Sequence, residues 1–269
     1  MRSSLAMLLK DERPSTPVTG PALVDRLIQD WPDLDASRLT ATGQHDAGSA
    51  TLDYGGTGIV VATLDSALDI DVERVAANSG QWPLTFPAPS DCTAHAVVAV
   101  VEPDGPDSHE AAIARAVLLS RALVSVLNLD DGFRAVYWGA AEHLVHPAAF
   151  LDQAKVLPSP MLPAWTAISV GPREDGSMSG YTRGLEMLGL QDLELPSVEE
   201  SEDEAFERLA GIVMYQVDAG PVLGDGETIR GPRGDVMLIE HVESSDGEGR
   251  QVVRLTPQKR RRGLFGRRR

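Results

Sequence analysis

The sequence predicts an α+β protein: a ferredoxin-like β-α-β-β-α-β N-terminal half, then a second α+β half with a mixed or antiparallel sheet. Three observations predict it. Apolar runs of strand length alternate with helical periodicity over the first hundred residues. A Gly55-Gly56 pair sits between two such runs, where positive φ suits a tight hairpin turn. A second set of strand and helix signals follows a proline-rich break at Leu157–Pro163.

Each element has its own reason. Ser4–Leu9 is a short apolar strand ended by the charged Lys10–Arg13 and Pro14. Pro21 suits a first helical position, since its missing N–H costs nothing there. Leu23, Val24, Leu27, Ile28 and Trp31 then recur at helical spacing until Pro32. Ser49–Asp53 and Gly58–Leu64 form the hairpin around the glycine pair. Ile70–Ala77 carries a short helical pattern with Val72, Val75 and Ala76 on one side. Ala94–Val101 is apolar on both faces, which predicts a central, fully covered strand.

Asp107 and Ser108 are cap candidates for a long helix over Glu110–Leu127, so apolar that protein should cover most of its sides. Asp130-Asp131-Gly132 turns into the strand Phe133–Trp138, and Pro147–Lys155 reads as a short helix. Three prolines in Leu157–Pro163 resist helix and ladder alike, so residues 1–156 and 157–258 are expected to form two subdomains. In the second, Ala164–Val170 reads as a strand and Gly171–Gly180 as a polar loop. Tyr181–Leu188 and Leu190–Leu195 form either a strand pair or a strand preceded by a helical turn. The acidic Glu199–Glu204 suits a helix N-terminus; Phe206, Leu209, Val213 and Val217 continue that helix, and Gly220-Pro221 closes it. After the Asp225-Gly226 turn, Gly234–Glu243 and Arg250–Thr256 make a final hairpin around Ser245–Gly249.

The stretch Gly180-Tyr181-Thr182-Arg183-Gly184-Leu185-Glu186-Met187-Leu188-Gly189, followed by Asp192-Leu193-Glu194-Leu195 and Asp225-Gly226-Glu227-Thr228-Ile229, resembles a bacterial family, domain of unknown function 4261. The strands His95-Ala96-Val97-Val98 and Tyr137-Trp138 also fit, so the resemblance spans Asp91 to Ile229. It implies a bacterial, cytoplasmic α+β protein and carries no activity with it.

Composition narrows the function classes. The chain is 42% hydrophobic and 24% charged, as a globular protein is. No uninterrupted apolar run reaches the ~20 residues that span a bilayer, and Met1–Lys10 is too short in apolar residues for a signal peptide. With Cys92 as the single cysteine, no intrachain disulfide can form, and a cytoplasmic location is expected. The net charge of −16 hides two unlike parts. Residues 1–258 hold 17 basic and 40 acidic side chains, a balance of −23, whereas Lys259–Arg269 (KRRRGLFGRRR) adds +7. The acidic body disfavours a nucleic-acid groove and favours a basic protein partner. The basic segment is expected to be a disordered tail. Through Lys259, Arg260, Arg261, Arg262, Arg267, Arg268 and Arg269 it offers contacts to an anionic membrane surface or RNA.

Chemical constellations are sparse. Cys92-x-x-His95 and His143-x-x-His146 have spacings seen in zinc sites, but spacing alone does not bring the doublets together, and neither a metal nor a cofactor is expected. The nearest approach to a nucleophile elbow, Gly176-Ser177-Met178-Ser179-Gly180, lies in a loop; a triad of Ser177, His146 and Asp152 is one of many possible combinations. Gly55-Gly56-Thr57-Gly58 lacks the Gly-Lys-Ser/Thr of a phosphate loop. Glu186 and Glu194 interrupt apolar segments: alternation favours a solvated strand face, and pairing with Arg183 would instead make a buried ion pair or polar site. Tyr181, Arg183, Glu186 and His95 are the candidate binding residues, because a long Gly/Ser-rich loop leads into the first three. The reading that follows is a non-enzymatic protein-binding module of accessory or immunity-like kind. Its alternative is a hydrolase or transferase built on those four residues.

Overall fold

The computed structural model describes residues 2–12, 18–43, 48–103, 108–231, 234–247 and 249–258. The segment Lys259–Arg269 and the cap candidate Asp107 lie outside the described residues. The chain divides into two compact units: Met1–Ala167 with Arg183–Leu190, and Ile168–Thr182 with Gln191–Arg269. The first break follows Ala167, so the prolines of Leu157–Pro163 stay inside the first unit.

The first unit is built on seven strands and its helices. In chain order these are β1 (Arg2–Lys10), α1 (Gly20–Asp30), β2 (Leu39–Thr42), β3 (Ser49–Tyr54), β4 (Thr57–Leu64), α2 (Val72–Ala77) and β5 (Ala94–Glu102). Then come α3 (His109–Leu129), β6 (Phe133–Trp138), β7 (His143–Val145), α4 (Pro147–Gln153) and α5 (Leu162–Trp165). Local chemistry accounts for the boundaries. Thr19 caps α1 by accepting from the Ala22 N–H, and Pro21 lies in its first turn. Gly55 and Gly56 have φ of 59° and 95°, the double positive φ of a two-residue hairpin, and Asp53 accepts from the Gly56 N–H at 2.7 Å. Ser108 caps α3 through the Ala111 N–H at 3.2 Å.

The sheet order is β2-β3-β4-β5-β1-β6-β7, with antiparallel pairing throughout. This corrects the ferredoxin-like expectation. A split β-α-β unit joins strands that run the same way. Here β5 lies between β1 and β4 and runs against both, so α2 is only a six-residue excursion between antiparallel neighbours. The strand β2, which the sequence reading missed, is four residues long and buries only Leu39, too little pattern to read. The half is α+β without the ferredoxin-like strand order.

One face of the sheet is closed and the other half-open. Ala96, Val98 and Val100 of β5, with Ala6 and Leu8 of β1, are fully buried on the face where α3 packs. On the opposite face Leu9, Ala135, Tyr137 and Leu144 cluster with Val75, Ala76 and Trp82. Farther along that face Val97, Ala99 and Val101 are only half-buried. The expected complete cover of β5 therefore holds on one side alone. By length and composition α3 would suffice to cross a membrane, but it is largely buried within the unit, as a core helix is.

Residues 183–190 explain why Tyr181–Leu188 did not read as one element. Gly184 (φ 105°) and Gly189 (φ 73°) bracket a 3-10 turn, Leu185–Leu188, that lays Leu185 and Leu188 into the first unit's core. A Cβ on Gly184 would lie 2.4 Å from the Trp165 carbonyl oxygen, so the position admits only glycine. His109 Nδ1 meets the Leu188 carbonyl at 2.7 Å.

The second unit holds β8 (Ala167–Pro172), β9 (Met178–Arg183), β10 (Asp192–Val198), α6 (Glu202–Ala219), β11 (Thr228–Arg230), β12 (Val236–Glu243) and β13 (Gln251–Pro257). Its sheet, ordered β11-β12-β13-β10-β9-β8, is mixed: β10 and β13 pair in parallel, β9–β10 and β12–β13 antiparallel. A capping box starts α6. Ser201 accepts from the Glu204 N–H while the Glu204 carboxylate accepts from the Ser201 N–H at 3.0 Å. Gly220, at φ 84°, ends the helix.

Candidate functional site

The four residues singled out in the sequence lie on three elements: Tyr181 and Arg183 on β9, Glu186 on the 3-10 turn and His95 on β5. His95 is buried at the start of β5, its Nδ1 2.7 Å from the Ser66 carbonyl oxygen. Tyr181 is exposed on β9 of the second unit, opposite Glu194. Glu186 is exposed on the 3-10 turn of the first unit, after the half-buried Arg183. Neither Glu186 nor Glu194 forms an ion pair with Arg183 among the described residues.

The histidine doublets serve local structure. His143 is buried with Nε2 2.8 Å from the Ala164 carbonyl; burial lowers its pKa and that hydrogen bond offsets only part of the shift. His146 caps α4 by accepting from the Ala148 N–H, and its ring packs edge-on against Phe86 at 4.9 Å. Cys92 forms a tight group with Asp11 and Asp91, but Arg134 occupies it with bonds of 2.7 and 2.8 Å to Asp11. Burial, then the Asp11 charge, pushes the thiol up to about 12, so the thiolate that would hold a metal is strongly disfavoured. The triad candidates fare alike: Ser177 donates to Asp175 at 2.6 Å, and Asp152 binds Lys155 at 2.6 Å.

Glu194 is the residue whose setting the sequence reading misjudged. It is not on a solvated strand face but buried on β10. One carboxylate oxygen accepts from the Ser244 hydroxyl (2.7 Å) and the Ser245 N–H (2.8 Å); the other accepts from Arg254 Nη2 (2.9 Å), directly across the parallel register. Burial pushes its pKa up, yet the bonds from Ser244, Ser245 and Arg254 together outweigh burial and hold it below the ordinary value. Two residues earlier on the same face, Asp192 accepts from the Thr182 hydroxyl at 3.0 Å. Arg208 of α6, also buried, is clamped between Glu200 and Asp235. Paired in this way, these charges tie α6 and the strands together and are architectural.

What remains open to a partner is the outer face of α6. Asp203, Glu207, Gly211, Met214 and Asp218 follow one another at three- and four-residue steps, and all are exposed. Phe206 and Tyr215, each nearly half exposed, flank this row, and Met214 is 61% exposed at its centre. Arg208 is the helix's only basic residue and is buried, so no basic side chain of α6 itself lies on this face. At the N-terminal end of α6 a depression of about 580 Å³ adds Asp175 and Glu199 to the acidic surface. Phe206 shares the helical spacing of Leu209, Val213 and Val217, but those three are buried and Phe206 is not. The available signal was Met214, a large apolar side chain in the middle of the acidic face.

Residues 181–256 match a family model, a domain of unknown function (DUF4261). The match begins later than the resemblance from Asp91 and runs beyond Ile229 through the last hairpin. The matched segment contains α6 with its acidic face, the whole Glu194 cluster and Tyr181, Arg183 and Glu186; it excludes His95. No curated protein and no solved structure matches the chain.

Proposed function

We propose that this protein acts by binding another protein, with the outer face of α6 receiving a basic, partly apolar segment of its partner. The observation that carries this reading is that face itself: Phe206, Met214 and Tyr215 exposed among Asp203, Glu207 and Asp218, with no basic side chain between them. Aromatic and methionine side chains supply contact area, and carboxylates without an ion pair among the described residues select a cationic partner and speed its approach. An accessory or immunity-like role is of this kind. The hydrolase or transferase alternative has less support, because His95 is buried on β5 and held by the Ser66 carbonyl, while Tyr181 and Glu186 are exposed on other elements.

The test is titration calorimetry of the intact protein with an arginine-rich peptide carrying interspersed leucine and phenylalanine. Binding should weaken steeply as salt rises from about 50 to 200 mM, because the Debye length then falls below the reach of exposed charges. The double variant Phe206→Ser/Met214→Ser should bind at least about tenfold more weakly, a loss of ~1.4 kcal/mol, with unchanged thermal melting. Equal binding by variant and parent overturns the reading.

A further inference from the structure

The first unit contains a cavity of about 560 Å³ against the outer side of α3, and no part of the proposal above depends on it. Its floor is apolar, made by Ile113, Ala114, Val117 and Leu118 of α3. Its walls carry three guanidinium groups in a chain whose net charge is −16. Two of them are buried and fixed. Arg115 binds Glu102 at 2.8 Å; Arg121 binds Asp33 at 2.5 Å and lies over the Trp31 ring at 5.2 Å. One nitrogen of Arg121, Nε, is buried without a hydrogen-bond partner.

The third, Arg38, differs. It is exposed at the rim and has no carboxylate partner among the described residues. Its guanidinium rests over the Tyr54 ring, 4.9 Å from the centroid, which orients the planar fork without neutralising it. The backbone beneath is fixed, since the Arg38 carbonyl accepts from the Gly55 N–H at 3.0 Å. Gly55 also leaves the space the guanidinium occupies: a Cβ there would lie 2.3 Å from Arg38 Nη2.

From this geometry we infer that the cavity binds a small monocarboxylate with an apolar body, its carboxylate on Arg38 and its body on the α3 floor. The charge count selects the class. Arg115 and Arg121 are already paired with Glu102 and Asp33, so Arg38 is the one guanidinium of the lining without a carboxylate partner among the described residues. A monoanion neutralises Arg38, whereas a phosphate dianion would leave an unbalanced negative charge near Glu110. A planar fork matches a carboxylate bidentately. The volume suits a ligand of drug-like size, within the roughly 300–1,000 Å³ of ordinary small-molecule sites.

The test uses decanoate and its uncharged analogue decanol, titrated into the full chain by calorimetry and followed by the shift in melting temperature. Decanoate should bind the parent at least about tenfold more tightly than decanol. Arg38→Gln removes an exposed group with no ion pair, so the fold should be retained; decanoate should weaken about tenfold while decanol is unchanged. Val117→Trp, which fills the floor from a half-buried position, should abolish binding of both. The inference is overturned if the parent binds neither compound, if it does not prefer decanoate, or if Arg38→Gln binds decanoate as the parent does.

Discussion

Within each unit, buried charge stands against a different amount of apolar core. At the centre of the first, Trp138 stacks on Trp165 with ring centroids 6.2 Å apart, Phe150 adjoins them, and Leu119 and Leu123 fill in around them, all fully buried. The buried polar groups at that centre are few and neutral, such as the Ser120 hydroxyl that accepts from Trp165 Nε1 at 2.9 Å. The first unit also buries Lys10, Arg115 and Arg121, but the second, smaller unit sets as many buried charges, Glu194, Asp192 and Arg208, all under a tenth exposed, in a much smaller apolar core. A small sheet with one helix has little apolar surface to bury, and partnered charges fix its register at an energetic risk. Removing an apolar group leaves a cavity; removing one ion of a pair leaves its partner charged, buried and alone.

Tryptophan fluorescence separates the two, because Trp31, Trp82, Trp138 and Trp165 all belong to the first unit. The largest effect is expected from Trp165→Ala, which removes the ring stack and the indole hydrogen bond to Ser120. It should cost about 3–5 kcal/mol in denaturant unfolding followed by the remaining tryptophans. A cost below ~1 kcal/mol, the range of surface substitutions, would mean that the aromatic cluster is not the first unit's core.

Next in size, Glu194→Leu should destabilise the second unit by about 3 kcal/mol by stranding Arg254. Backbone hydrogen exchange of β10 and β13 would report it, with the fluorescence transition unchanged. Adding Arg254→Leu should recover most of the loss; a double variant no more stable than the single one would refute the pairing as the source of the effect.

A smaller contrast concerns pH. His143 has its pKa lowered from 6.5 by burial, so the unfolded chain takes up a proton first as pH falls. Stability that is fully present above 6.5 is then lost as pH drops through the folded value. Glu194 is lowered from 4.5, so its contribution is intact above 4.5 and is lost only at more acidic pH. Between pH 7 and 5, melting seen by tryptophan should decline while exchange protection of β10 holds, and His143→Gln should flatten the decline. Parallel loss of both signals over that range would contradict the assignment. The smallest effect is expected from Ser201→Ala: about 1 kcal/mol from the lost cap of α6, read as faster exchange in its first turn.

Much of this architecture was legible in the sequence because the signals were local. The Gly55-Gly56 hairpin, the Pro21 helix start, the acidic entry to α6 and the Gly220 stop each depend on a few adjacent residues whose φ, capping or charge preferences act at short range. Strand order did not follow, because pairing of β1 with β5 joins residues about ninety positions apart and no local preference encodes it. The same holds for Glu194. Its alternation with Leu193 and Leu195 matches a half-solvated strand, and only the arrival of Ser244, Ser245 and Arg254 from the last hairpin makes the position a buried one.

Charge shows the division most plainly. The sequence alone determined that an acidic body of −23 carries an arginine-rich complement, that the chain is α+β, and that a segment after Gly180 resembles domain of unknown function 4261. Tertiary structure decided where the charges act. It placed Glu194 and Arg208 inside, left Asp203, Glu207 and Asp218 outside with Met214, and set Arg38 on Tyr54 at the mouth of a cavity. Composition sums charges without positions, while the work a charge does depends on what surrounds it: water, an opposite charge or an apolar wall.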